Sequence, residues 1–420
     1  MLVLCSHDSF MLMRCRQVQR RKTNPQCIVI IKMSLKSDSD LQIQSAQSQP
    51  EYMTTQIITY MGNKRKLIPI IESVLSEIQE ELKTPSLKIG DGFSGSGVVS
   101  RLFKTKASEL YTNDIAGYSK TLNECYLANP SSKTIAIINK YIDEANRLGD
   151  EAAKLRTDQM NNAWVSKHWS PHGSEIKDTD RVYFTDINGR RIDAMRDYIE
   201  TLPKKYRSFI LAPLLVECSI HNNTNGQFSA YNKHEFGGKT KTDIKRITQE
   251  IRIPYPIFDK SKCKTHISQM DSNEWAAQSP ELDVVYYDPP YNKHPYNIYY
   301  FMLDIINDWD KTIDIPDTYR GQPKTRTKSL YNSISHARKT LTDLIENTHS
   351  KYIILSYNDG GIVPISELDA LLEKSHILVK KIPIDHKIYN RLKGIGNYKR
   401  TEEYKPVKEY LYVIKTRRLS

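Results

Sequence analysis

The stretch Leu87-Lys88-Ile89 running into Gly90-Asp91-Gly92-Phe93-Ser94-Gly95-Ser96-Gly97 limits the fold more than any other part of this 420-residue chain. A short apolar alternation feeds a turn of small residues, and a helix starts over Val98 to Phe103. Glu109 to Asp114 reads as a second strand ending in an acid, followed by a helix from about Tyr118 to Ala128. Strand, glycine turn, helix, strand, acid is the opening of a nucleotide-type βαβ unit. Ahead of it, Ile71, Val74, Leu75, Ile78 and Leu82 recur at helical spacing. Later, the Val-Val-Tyr-Tyr core of Asp283 to Asp288 suits a buried parallel strand, and Tyr352 to Tyr357 and Tyr410 to Ile414 are further strand candidates. The fold class is α/β.

The α/β rhythm is interrupted between about Pro130 and Cys263 by polar helical and loop segments, notably Arg181 to Ile199 and the Asn-rich His221 to His234. This divides the chain into 1–52, a Ser- and Gln-rich extension expected to be disordered; 53–129; an inserted domain, 130–263; and 264–420. Lys and Arg number 61 against 49 Asp and Glu, a net charge of +12 that suits a polyanion or, equally, a solvated basic surface. The cysteines at 5, 15, 27, 125, 218 and 263 show neither CxxC spacing nor clustered histidines, so no metal site and no disulfide framework is expected. The longest apolar run, Phe209 to Ile220, falls short of the ~20 residues that span a bilayer. It also contains Pro213 and Glu217. The apolar N-terminus is broken by His7 and Asp8, with no basic segment before it, which argues against a signal peptide and for the cytoplasm.

Asp288-Pro289-Pro290-Tyr291 carries the most chemistry. Two prolines directly after a strand fix the backbone and bias the preceding residue towards an extended conformation. Such a loop can hold an acceptor carboxylate, a proline carbonyl and a stacking aromatic in fixed relation to a planar amine, as an in-line group transfer requires. The glycine loop alone is equally a plain strand-to-helix turn. Asp114, about 20 residues further on, adds an acid where ribose hydroxyls are commonly held, although alone it would read as a helix cap.

In family order, Tyr60-Met61-Gly62-Asn63-Lys64 with Lys66-Leu67, then Asp91 to Gly97, then Asp288 to Tyr291 resemble the motifs of the Dam-like, alpha-group DNA N6-adenine methyltransferases over roughly Ile57 to Lys415. The resemblance implies a Rossmann-like domain with a mixed, mostly parallel seven-stranded sheet and an inserted, largely helical target-recognition domain. It implies S-adenosyl-L-methionine as cofactor, held by Tyr60, Gly62, Asn63, Lys64, Asp91, Phe93, Ser94, Gly95, Gly97, Asp114, Asp271 and Asp288. Tyr60 and Lys64 would meet its methionine part and carboxylate, and Asp114 its ribose. Met270-Asp271 matches less closely and reads almost as well as a surface turn. Asp288, Pro289, Pro290 and Tyr291 would be catalytic: Asp288 and the Pro289 carbonyl polarising the amine, Tyr291 stacking on a flipped adenine.

The implied partner is double-stranded DNA, with a cognate restriction endonuclease acting on the same site without direct contact. No membrane partner is implied. Candidate DNA-binding residues in the insertion are Asn223, Asn225, Lys239, Lys241, Lys245 and Arg246, with Arg252 nearby; each is equally a solvated helix face. Arg391, Lys393, Lys399 and Arg400, interleaved with Tyr389 and Tyr398, form a second basic stretch suited to clamping a duplex. The rival readings are an adenine methyltransferase acting on RNA, and a DNA-binding relative without catalysis.

Overall fold

The computed structural model describes residues 50–60, 62–173, 175–241, 243–293, 295–324, 329–385 and 408–417. Seven strands among them form one sheet: β1 (Leu87–Asp91), β2 (Ala107–Asn113), β3 (Lys264–Ser268), β4 (Leu282–Tyr287), β5 (Ser350–Asn358), β6 (Ile377–Asp385) and β7 (Lys408–Lys415). Their spatial order is β3-β2-β1-β4-β5-β7-β6. The first five run parallel, and β7 runs antiparallel to both β5 and β6. This is the mixed, mostly parallel α/β sheet that the sequence predicts.

Burial follows from topology. In the central strand β4, Val284, Val285, Tyr286 and Tyr287 are all buried, because helices cover both faces of a parallel sheet. One face is packed by α1 (Ile68–Leu82) and α2 (Val98–Lys106), whose Ile71, Val74, Leu75 and Leu102 meet Ile89, Val284 and Ile354. Next along the chain comes α3 (Gly117–Tyr126). The middle of the chain then adds α4 (Ser132–Ala152), α5 (Asp186–Thr201) and α6 (Lys204–Ile220). After it come α7 (Ser272–Gln278), α8 (Tyr296–Asp308), α9 (Ala337–Glu346) and α10 (Ile365–Ser375).

The segment 130–263 does not build a core of its own. Ile138 and Ile142 of α4, Ile192 and Met195 of α5, and Leu214 of α6 share one apolar cluster with Leu122 of α3 and Phe301 of α8. The change of sequence character at Pro130 therefore marks added helices packed onto the catalytic layer. The expected boundary at residue 52 also moves: Pro50–Thr54 is a short helix, and Tyr52 is fully buried with its hydroxyl donating to the Tyr126 carbonyl at 2.8 Å. Arg101 fastens the same segment by donating to the carbonyls of Tyr52, Thr55 and Gln56. Among the described residues, no helix is long and apolar enough to cross a membrane.

Candidate active site

Strand order reverses between β1 and β4, since β2 lies beyond one and β5 beyond the other. Ligands of open α/β sheets bind outside the carboxyl ends of the strands at such a switch point. Here the glycine loop leaves β1 tightly: the Gly92 N–H donates to the Tyr286 carbonyl, and a Cβ on Gly92 would come within 2.4 Å of the Tyr287 ring. Above it opens a cavity of about 500 Å³, lined by Tyr60, Phe93, Gly95, Asp114, Asp271 and Asp288 among others. That is the size range of cofactor sites.

On the cofactor side, the Asp114 carboxylate accepts from the Gly95 N–H (2.7 Å) and the Ala116 N–H (2.9 Å), one bond to each oxygen. A carboxylate has about four acceptor positions, so both oxygens keep capacity for ligand hydroxyls. Burial raises its pKa from the usual range, against the pull of those N–H groups. Tyr60 stacks on Tyr300 with centroids 4.6 Å apart, and lies so close to Gly95 that a Cβ there would come 3.1 Å from its ring. Gly62, Asn63 and Ser94 also face the cavity. Asn63 additionally caps the turn Lys64–Leu67 through the Arg65 N–H, and Asp271 caps α7 through the Asn273 N–H.

Two residues assigned to the cofactor from the motif lie elsewhere. Asp91 is fully buried below the loop, outside the cavity lining, where Ser100 Oγ donates to it at 2.5 Å and burial pushes its carboxyl up to about 7. It braces the start of α2. Gly97 likewise lies outside the lining; it has φ +76° and a Cβ there would meet Asn123 Oδ1 at 2.8 Å, so it allows the close approach of α3.

At the other end, Asp288 follows β4 directly, and Pro290 joins it in the cavity wall while Pro289 is buried. Tyr291 packs edge-on against Tyr357, and its carbonyl accepts from the Ile362 N–H, which fixes the loop. Lys64, expected at the cofactor's carboxylate, also lines the cavity, and its ammonium meets two protein carboxylates, donating to Glu409 Oε1 at 2.5 Å and standing 3.1 Å from Asp288 Oδ1. Burial works against that charge, yet Asp288, Tyr291 and Glu409 hold the lysine well above its ordinary range. Asp288 Oδ1 is buried with no aligned hydrogen bond, an acceptor left over on the cavity wall. Burial raises the Asp288 carboxyl to about 6, with Lys64 pulling it down and Glu409 pushing it up.

Sequence reasoning missed Glu409, Ser356 and Gln322. Ser356 Oγ donates to Glu409 Oε1 at 2.5 Å. Gln322 donates to the Asn297 carbonyl while its Oε1 is buried on the cavity wall without a partner. No local motif surrounds these residues, and only the pairing of distant strand ends and loops brings them here.

The expected DNA-reading residues separate into used and available groups. Asn223, far from presenting an amide to a base, is fully buried. Its Nδ2 donates to the carbonyls of Val182 and Asn232, and its Oδ1 accepts from Asn232 Nδ2 and the Gly237 N–H. Arg246 is likewise spent on the backbone carbonyls of Ile220, Asn222 and Thr224. Lys241 is paired with Glu235 at 2.7 Å, and Arg252 with Asp150. Asn225, Lys239 and Lys245 are exposed. Arg391, Lys393, Lys399 and Arg400 lie outside the described residues.

A reversed-order parallel sheet with a nucleotide-sized cavity and a spare carboxylate after β4 defines a Rossmann-like methyltransferase. More narrowly, residues 60–363 match the D12 class N6 adenine-specific DNA methyltransferases, and the chain belongs to that family. Among curated relatives, it is 26% identical to the type II methyltransferase M.NlaIII of Neisseria lactamica over 85% of this chain and 99% of the relative. It is 26% identical to the type II methyltransferase M.CviAII of Paramecium bursaria Chlorella virus 1, covering 85% and 98% of the two chains. Against M.FokI of Planomicrobium okeanokoites it is 26% identical over 84% of this chain, and spans 52% of that larger protein.

Proposed function

We propose that this chain transfers a methyl group from S-adenosylmethionine to N6 of an adenine flipped out of double-stranded DNA, as the cytoplasmic modification enzyme of a restriction-modification pair. Once bound, the cofactor supplies an electrophilic methyl group on its sulfonium. Asp114 accepts from its ribose hydroxyls, while Tyr60, Phe93, Ser94 and Gly95 enclose it. Asp271 serves its adenine.

The exocyclic amine of adenine is a poor nucleophile because its lone pair is conjugated with the ring. Asp288 would accept one of its N–H bonds and the Pro289 carbonyl the other, which would free the nitrogen lone pair to form the N–C bond as the methyl–sulfonium bond breaks, with the proton lost from nitrogen passing by way of Asp288 to solvent. Tyr291 stacks on the base. A base inside a duplex cannot reach this cavity, so flipping is required. Basic residues of 130–263 and of 387–400 bind the duplex, with Lys239 and Lys245 on phosphates. A restriction endonuclease of the same specificity acts on the same DNA word without contacting this chain.

The observation that supports this reading is the leftover acceptor, Asp288 Oδ1, at the cavity wall opposite the carboxylate of Asp114 on the neighbouring side of the switch point. Expression in a methylation-free host, followed by nucleoside analysis and sequencing of the modified DNA, should give N6-methyladenine in one short sequence context. Methyl label in RNA alone would overturn it.

A further inference from the structure

Two walls of the cofactor cavity, Tyr60 and the glycine loop, are joined through one buried side chain outside it. Arg101 lies on α2, the helix that leaves the glycine loop, and its backbone N–H donates to the Gly97 carbonyl at 2.9 Å. Only 2% of the residue is exposed. A guanidinium is costly to bury unless its donors are satisfied. Here they go to three carbonyls of one short segment: Tyr52 and Thr55 at 2.8 Å each, and Gln56 at 2.5 Å. The same guanidinium lies over the rings of Tyr126 and Tyr52, 4.0 and 5.3 Å from their centroids.

The clamped segment leads directly to Tyr60 in the cavity wall, and residues 55–60 belong to no helix or strand that could hold them. Gln56 has φ +51°, a conformation unfavourable for a residue with a Cβ, and its side chain donates to the Tyr255 carbonyl at 2.7 Å and accepts from the Ile257 N–H at 3.0 Å. Ile57 and Ile58 are buried, and the Thr59 N–H donates to Ser219 Oγ at 3.1 Å. We propose that Arg101 is a positioning residue for the cofactor: by tying residues 52–56 to the helix of the glycine loop it holds Tyr60 against Gly95, so that both walls are assembled before the cofactor binds. This rests on the reading of that cavity as the S-adenosylmethionine site. A wall already in place removes an ordering cost from the binding step, and loosening it divides the apparent affinity by the fraction of molecules in the competent state.

The test is equilibrium binding of S-adenosylmethionine to the DNA-free protein by calorimetry, with methyl transfer measured alongside. Arg101→Lys keeps the charge but loses the planar fork that reaches three carbonyls. Its Kd for S-adenosylmethionine should rise about 10-fold. The KM for the cofactor should follow, while kcat at saturating cofactor stays within about two-fold and duplex affinity is unchanged. In a Tyr60→Ala background the same substitution should weaken binding by less than about two-fold, because the side chain it acts through is gone. A merely structural role predicts the same factor in both backgrounds, with kcat falling as well. Where Tyr60→Ala binds too weakly to measure, hydrogen exchange gives the reading: the Thr59 amide should exchange faster in Arg101→Lys without cofactor and recover its protection with it. Should Arg101→Lys fail to fold, Gln56→Gly loosens the same segment without disturbing the buried charge, at a φ that suits glycine. Its Kd should rise about three-fold, again only where Tyr60 is present. A Kd equal to that of the unmodified protein in the folded variant, a loss undiminished by Tyr60→Ala, or unchanged exchange at Thr59 overturns the proposal. Failure of the unmodified protein to bind S-adenosylmethionine would instead overturn the reading of the cavity itself.

Discussion

Two buried polar regions of this molecule handle their hydrogen bonds in opposite ways. In the loop after α6, Asn223 spends both amide donors and its oxygen on neighbouring backbone and Asn232, and Asn222 Oδ1 accepts from Thr224. At the carboxyl ends of β2 and β4, Asp114 keeps acceptor positions and Asp288 Oδ1 has no aligned bond. Burying a polar atom without a partner costs about 1–3 kcal/mol. Buried atoms without a partner also occur away from the cavity, as at Asp91 Oδ1, so the contrast is a local one. Around the cavity the acceptors of Asp114 and Asp288 keep capacity for a ligand, whereas Asn223 is saturated by its own loop.

Asp288→Ala makes the strongest test of this contrast. Loss of a group aimed at the reacting atoms costs about 10²–10³ in rate or more. Methyl transfer should fall by at least that factor, while DNA affinity stays within a few-fold and thermal stability is little changed. A variant that lost binding and stability together would place Asp288 with the scaffold and erase the distinction.

Asn223→Ala should do the reverse. It leaves the carbonyls of Val182 and Asn232 and the Gly237 N–H without their partner, and stability should drop by about 1–3 kcal/mol. Calorimetry would show a lower Tm. The methylated sequence context, read by sequencing, should stay the same at a temperature where the variant is folded. A changed context with an unchanged Tm would restore Asn223 as a base-reading residue.

The same contrast explains what was legible beforehand. Strand β4, the glycine turn and Asp114 were readable because backbone constraint and burial leave a local pattern. Four consecutive small residues, Ser94 to Gly97, or two prolines after an apolar run, mean much the same in any fold. The edge strands β3 and β6 were not readable: Lys264–Ser268 is half-exposed and too mixed to show alternation. In the site, Asp91 and Gly97 were misplaced because a motif reports the loop as a unit, without saying which side chains face the ligand and which brace the turn. Glu409 and Ser356 were invisible because the Lys64–Glu409 and Ser356–Glu409 contacts span 345 and 53 positions of sequence and exist only through the folding of the sheet. The asparagine-rich loop was misread for a related reason: composition shows donors and acceptors but not whether they are already paired.

The smallest expected effect concerns the side chains that the scaffold leaves unpaired at the surface. Lys239 and Lys245 are exposed, while Lys241, Arg246 and Arg252 are engaged by carboxylates or carbonyls. A phosphate contact made by a free lysine releases counterions, and each adds about 0.9 to the slope of log affinity against log salt. Lys239→Ala and Lys245→Ala should each lower that slope by roughly this amount without altering the methylated context. Lys241→Ala should barely change it, because its ammonium already has Glu235. If instead Lys241→Ala produced the larger loss, the ion pair must open on binding. Pairing in the unbound molecule would then be a poor guide to which residues meet the duplex, and the rule would hold only for the buried acceptors around Asp114 and Asp288.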